Sequence, residues 1–243
     1  MRILFLRHAE PDYVHDSLTE KGEREARFLS ERLKEEYPDI RSFYCSPLGR
    51  ARKTASYTLE RFHRDAIVLP WLREFDASIS RPDDTKQKHI AWDWMPGDVE
   101  KHPFLYSCTD FWKDSILSES DFKSKYDTVV EGFDRILKDH GYERQGTFYR
   151  AVFPNHDTIA IFSHFGVSAI MMAHLMNTSP YSIWENAIAL PSSLTEFISE
   201  ERQKGKALFR MNQFSSISHL EKNGEPPSFS GRFCECYTDL TRH

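Results

Sequence analysis

Short, nearly unbroken apolar runs punctuate the first part of the chain and return once past its middle. Residues 2–6 (RILFL), 41–45 (RSFYC), 66–69 (AIVL) and 158–162 (TIAIF) have the length of strands. Their continuous apolar character marks strands buried on both faces of a sheet. Between them the period changes. Leu18, Gly22, Ala26, Leu29 and Leu33 recur at spacings of three and four with charges between, which predicts an amphipathic helix. Its start is marked by Ser17 with Glu20 three residues on, or by Thr19, and Pro38 lies just past its end. Ser46-Pro47 predicts an N-cap and first-turn pair for a second helix, with Leu48, Ala51, Ala55, Leu59 and Phe62 on its apolar face. A third helix runs from Phe122 through Tyr126, Val129, Val130, Phe133 and Leu137, and a fourth, GVSAIMMAHLM, follows TIAIF. Strands alternating with helices predict an α/β fold, a three-layer α/β/α sandwich with a mainly parallel central sheet.

The rhythm breaks between Glu74 and about residue 121. That stretch holds three of the five tryptophans and three prolines, without a sustained period. It is read as a cap insertion, at about 75–121, over one edge of a single domain spanning 1–243. Its aromatic residues, Trp92, Trp94, Phe104, Tyr106, Phe111 and Trp112, are expected mainly to fill a small core of its own. Toward the other end, KALFRMNQF reads as a last strand and NGEPPSFSGRF as loop.

Composition narrows the function. The 40% hydrophobic content is ample for a large core. The balance of 32 basic against 37 acidic residues gives a net charge of -5, which offers no general attraction to nucleic acid or to an anionic membrane. Any bound anion must be held by a local cluster. No apolar stretch approaches the ~20 residues of a membrane span, and four apolar residues between Arg2 and Arg7 are too few for a signal-peptide core. The expected location is the cytoplasm. Four scattered cysteines predict reduced thiols. Cys234 and Cys236, even with His243 nearby, match zinc spacing weakly, so no metal site is assigned.

Chemistry gathers at the predicted strand ends. In an open α/β sheet, ligands bind outside the carboxyl ends of the strands, where helix N-termini present free N–H groups. Arg7 and His8 follow the first strand, Arg50 lies in the first turn after the second, Glu74 follows AIVL, and His164 follows TIAIFS. Arg52 and Lys53 are assigned to the solvated side of their helix, and His174 to the apolar face of its own. A glutamate beside Arg73 also has a plainer reading as half of a surface ion pair.

The segments LRHAE, LTEKGEREA, SPLGRARKTA and SHFG, in this order, resemble the histidine phosphatase superfamily, the phosphoglycerate mutase-like proteins. The resemblance covers residues 1–75 and 120–200. It implies His8 as nucleophile, Arg7 and Arg50 as phosphate clamps, His164 as the second pocket histidine and Glu74 as proton donor. Phe165 stands where the family has glycine, and its backbone N–H remains available to a phosphate oxygen. Implied too are a phosphohistidine intermediate, a protonated His164, and no metal or cofactor.

Three readings of the activity stand at this point. The favoured one is hydrolysis of a small phosphorylated metabolite. Phosphoglycerate mutase-type transfer is disfavoured by the loop PDYVHDS, which lacks the mutase WN and GW pairs, and by ten acidic against five basic residues over 75–121. A non-catalytic phosphate-binding protein is disfavoured by the complete set of five site residues. Oligomeric state is left open.

Overall fold

In the computed structural model, which describes residues 1–239 and 241, one eight-stranded sheet collects the apolar runs. Its strands, numbered along the chain, are β1 (Arg2–Arg7), β2 (Ile40–Cys45), β3 (Ile67–Val68), β4 (Tyr142–Gln145), β5 (Phe148–Ala151), β6 (Thr158–Ser163), β7 (Leu194–Gln203) and β8 (Lys206–Ser216). The order is β3-β2-β6-β1-β7-β8-β5-β4. The half from β3 to β1 is parallel, and from β1 to β4 every pairing is antiparallel. Register in the parallel half aligns the strand ends, since Arg7 pairs with Ser163, Phe162 with Cys45, and Cys45 with Val68. The residues that follow these strands therefore meet at one edge.

Alternation along β1 builds the layers, because successive side chains of a strand face opposite ways. Leu4 and Leu6 pack with Leu29 and Leu33 of α1 (Glu20–Glu36) and with Ala51 and Ala55 of α2 (Gly49–Phe62). Ile3 and Phe5 pack on the other face with Phe133 of α3 (Phe122–Asp139) and Ile170 of α4 (Phe165–Met176). The result is the three-layer sandwich. Thr19 is the N-cap of α1, accepting from the Gly22 amide at 3.0 Å. The expected cap of α2 is corrected: the helix begins at Gly49 with Leu48 at its N-cap, and Ser46 serves the site instead.

The 75–121 segment contains a hairpin, Ser78–Arg81 with Asp84–Ile90, and several one-turn helices. Its Phe75, Ile79, Trp94 and Phe111 belong to the same apolar cluster as Phe5 and Phe133. The segment thus extends the main core, whereas Phe104 and Tyr106 stay exposed. α4 is apolar nearly all round because α3, the short helix Tyr181–Trp184 and β8 enclose it, with Trp92 of the segment against Phe165 at its start. Among the described residues no helix is long and apolar enough to cross a membrane.

Candidate active site

His8 leaves the end of β1 with its amide donating to Ser163 O at 3.0 Å and its ring almost wholly buried. Its Nδ1 lies 2.8 Å from the carbonyl oxygen of Ala9. A carbonyl only accepts, so Nδ1 carries the proton and Nε2 keeps its lone pair. Arg7, one residue earlier, donates Nη1 to Ala189 O and lies over the Phe165 ring at 6.0 Å. Its Nε is buried without a partner among the described residues. Arg50, in the first turn of α2, is held by Asp16 Oδ1 at 2.7 Å, while Asp16 Oδ2 accepts from the Gly49 amide at 2.6 Å.

His164 is fully buried behind His8, with ring centres 5.1 Å apart. Ser46 Oγ lies 2.7 Å from its Nε2 and itself accepts from the Leu48 amide at 3.2 Å. Nδ1 of His164 is buried without a partner among the described residues. Glu74 reaches the start of α4, where its Oε1 accepts from the Phe75 amide at 2.8 Å and the Val167 amide at 3.1 Å. Oε2 is left to carry a proton. The neighbouring Arg73 approaches Asp76 rather than Glu74, so the surface ion-pair reading of Glu74 is set aside.

Burial sets the protonation states. Loss of water, with Arg7 adding to it, pushes the His8 imidazole down to about 3, so the ring is neutral at physiological pH. Burial, followed by His8, Arg50 and Arg7, drives His164 well below the ordinary histidine range. His164 is therefore held toward its neutral form, whereas the protonated ring expected from the sequence is one beside a transferring phosphoryl group. A dianionic phosphoryl group between these rings is what would favour that charge. Burial raises the Glu74 carboxyl, against the opposing pull of the Phe75 amide and Arg7.

Arg7, His8, Arg50 and Glu74 open onto one cavity of about 740 Å³, within the range of small-molecule sites. His164 stands behind it. Three contributors to this cavity were not assigned to the site from the sequence. Trp92 projects from the cap, and its buried indole N–H has no partner among the described residues. Glu185 follows the short helix Tyr181–Trp184, with burial and then Asp93 pushing its carboxyl up to about 7. Residues 231–235 cross the mouth, and Gly231 sits so close that a Cβ would stand 2.2 Å from Arg7 Nη2. Cys234 faces this cavity and His243 lies outside the described residues, so the two are given no joint role.

The profile of the histidine phosphatase superfamily (branch 1) matches residues 3–103, the stretch that carries Arg7, His8, Arg50 and Glu74. Over that stretch the chain matches the histidine phosphatase superfamily. Within that superfamily, the adenosylcobalamin/alpha-ribazole phosphatase of Salmonella typhimurium is 26% identical over 193 residues, covering 76% of this chain and 84% of the relative. A phosphoserine phosphatase from Entamoeba histolytica, solved with phosphoserine, is similar in structure with a TM-score of 0.57 at 19% identity, over 90% of this chain and 98% of that one. The alpha-ribazole phosphatase of Shigella flexneri gives 0.55 at 21% identity, over 89% and 97%. These structural likenesses carry the histidine phosphatase fold.

Proposed function

We propose that this histidine phosphatase-fold protein is a metal-independent phosphomonoesterase that hydrolyses a small phosphorylated metabolite through a phosphohistidine on His8. The observation that carries the reading is the Nδ1–H of His8 fixed on Ala9 O at 2.8 Å, beside Arg7 and at the floor of the cavity. Nε2 attacks phosphorus while the bond from phosphorus to the ester oxygen breaks, and Glu74 gives that oxygen its proton. Water then attacks the phosphohistidine, the P–N bond breaks, and Glu74 takes back a proton. Arg7, Arg50 and the Nδ1 side of His164 face the equatorial oxygens, where charge spreads during transfer. The names of the relatives, all phosphatases, support hydrolysis over mutase transfer.

A rapid-quench experiment with a radiolabelled phosphate ester tests this. Label is expected on the protein in an acid-labile, base-stable form, absent from His8→Ala, which loses at least ~10³-fold in turnover. Activity is expected to survive a chelator. Turnover without labelled protein, or loss on chelation reversed by magnesium, contradicts the mechanism.

A further inference from the structure

Beyond the phosphate site, the cavity carries one acidic group with an unmet need. Four carboxylates line it: Glu74, Asp76, Glu185 and Glu235. Glu74 is occupied by backbone amides, Asp76 is paired with Lys125 at 2.8 Å, and Glu235 with Arg232 at 3.0 Å. Glu185 Oε1 is buried, and no described residue bonds to it. Its backbone is anchored, because the Glu185 amide donates to Tyr181 O at 3.1 Å. The preceding Trp184 donates its indole N–H to Gly166 O at 3.0 Å and stacks on Phe75 with ring centres 5.7 Å apart. Leaving a buried acceptor unsatisfied is costly, and a ligand donor would recover that cost.

We infer that Glu185 is a specificity residue, whose carboxyl accepts a hydrogen bond from a hydroxyl or ammonium on the leaving group, held between the aromatic walls of Trp92, Phe165 and Trp184. This rests on the phosphatase reading only in calling that part of the substrate the leaving group. Above pH 7, where the Glu185 carboxyl is mostly ionised, a carboxylate in the same place would meet like charge. The substrate class is a phosphate ester of an alcohol bearing a donor group and an apolar or ring-shaped body.

Four matched benzyl phosphates, with para hydroxymethyl, aminomethyl, methyl or carboxylate groups, test the assignment by calorimetric binding to the His8→Ala protein, which needs no turnover. The hydroxymethyl or aminomethyl ester is expected to bind on the order of tenfold more tightly than the methyl ester, and the carboxylate more weakly still. Adding Glu185→Leu should level the series. Adding Glu185→Gln, which keeps the shape and an acceptor, should preserve the hydroxymethyl preference and reduce the aminomethyl one. An aminomethyl-only preference points to a cationic substrate, a hydroxymethyl-only preference to a polyol-like one. Equal affinities, no measurable binding, or a ranking that Glu185→Leu leaves in place overturns the inference. Failure of the wild type to hydrolyse esters that bind in the expected order counts against the phosphatase reading alone.

Discussion

Gly166 makes room for the acid. A Cβ there would stand 2.6 Å from Glu74 Oε1 and 2.8 Å from Trp92 Nε1, so any side chain at this position displaces one or both. Glu74→Gln is expected to slow hydrolysis of alkyl phosphates by on the order of 10²-fold, because an alkoxide needs the proton, while sparing nitrophenyl phosphate, whose phenolate leaves without one. Gly166→Ala should reproduce that contrast at roughly tenfold, since it moves the carboxyl rather than deleting it. Steady-state rates on the two ester classes measure both, and equal losses on both classes would make Glu74 a positioning residue. Arg7, His8, Arg50 and His164 could be read from sequence because each directly follows a strand or opens a helix, so local pattern fixes its place. Trp92, Glu185 and Gly231 could not, because their approach depends on how the cap, a one-turn helix and a distant loop pack together.

At the level of elements, the start of α2 shows how a helix terminus and a cavity-lining arginine are joined. Asp16 has φ of 45° and spans both, with one oxygen on the Gly49 amide and the other on Arg50. Asp16→Ala is expected to lose about 1 kcal/mol as a missing cap and to raise KM as Arg50 loosens. Asp16→Asn, suited to a left-handed backbone, should keep most of the stability yet still raise KM. Denaturation midpoints beside Michaelis curves separate the two effects; if Asn costs as much stability as Ala, the cap assignment fails. The parallel half of the sheet was legible because its strands are continuous apolar runs. The antiparallel half was largely not, because β7 ends in EERQ, with Glu200, Glu201 and Arg202 near or in solvent, and charged stretches carry little strand signal. Its hairpin β4-β5 is likewise mixed in character, turning at Gly146 with φ of 62°.

For the whole molecule, buried titratable groups oppose one another. His8 and His219 are held down to about 3, while Glu25 and Glu185 are held up to about 7, in each case chiefly by burial. On unfolding they return to 6.5 and 4.5 respectively. Between these two ordinary values the unfolded chain gains protons on the histidines and loses them from the carboxyls. Slopes of about 1.4 kcal/mol per pH unit for each group therefore cancel. His164 and Glu74 are displaced in the same opposed directions. Stability is expected to change little there beyond a small rise from His140, also lowered by burial, and to fall below the carboxyl value, where the histidines are joined by carboxylates that their partners hold low, among them Asp16 and Glu225. Glu25→Gln removes one opposing carboxyl, so stability should then rise with pH across the window at roughly 1.4 kcal/mol per unit. Urea titrations at stepped pH measure this, and a profile parallel to the wild type rules it out. The wall formed by residues 231–235 bears on how the protein is made. His8 leaves the ribosome about 220 residues before Gly231 does, an interval of roughly 10–45 s at ~5–20 residues per second. A nascent chain whose sheet has begun to form leaves His8 beside an unfinished chamber throughout that time, so the cavity takes its shape only once residues 231–235 have been made.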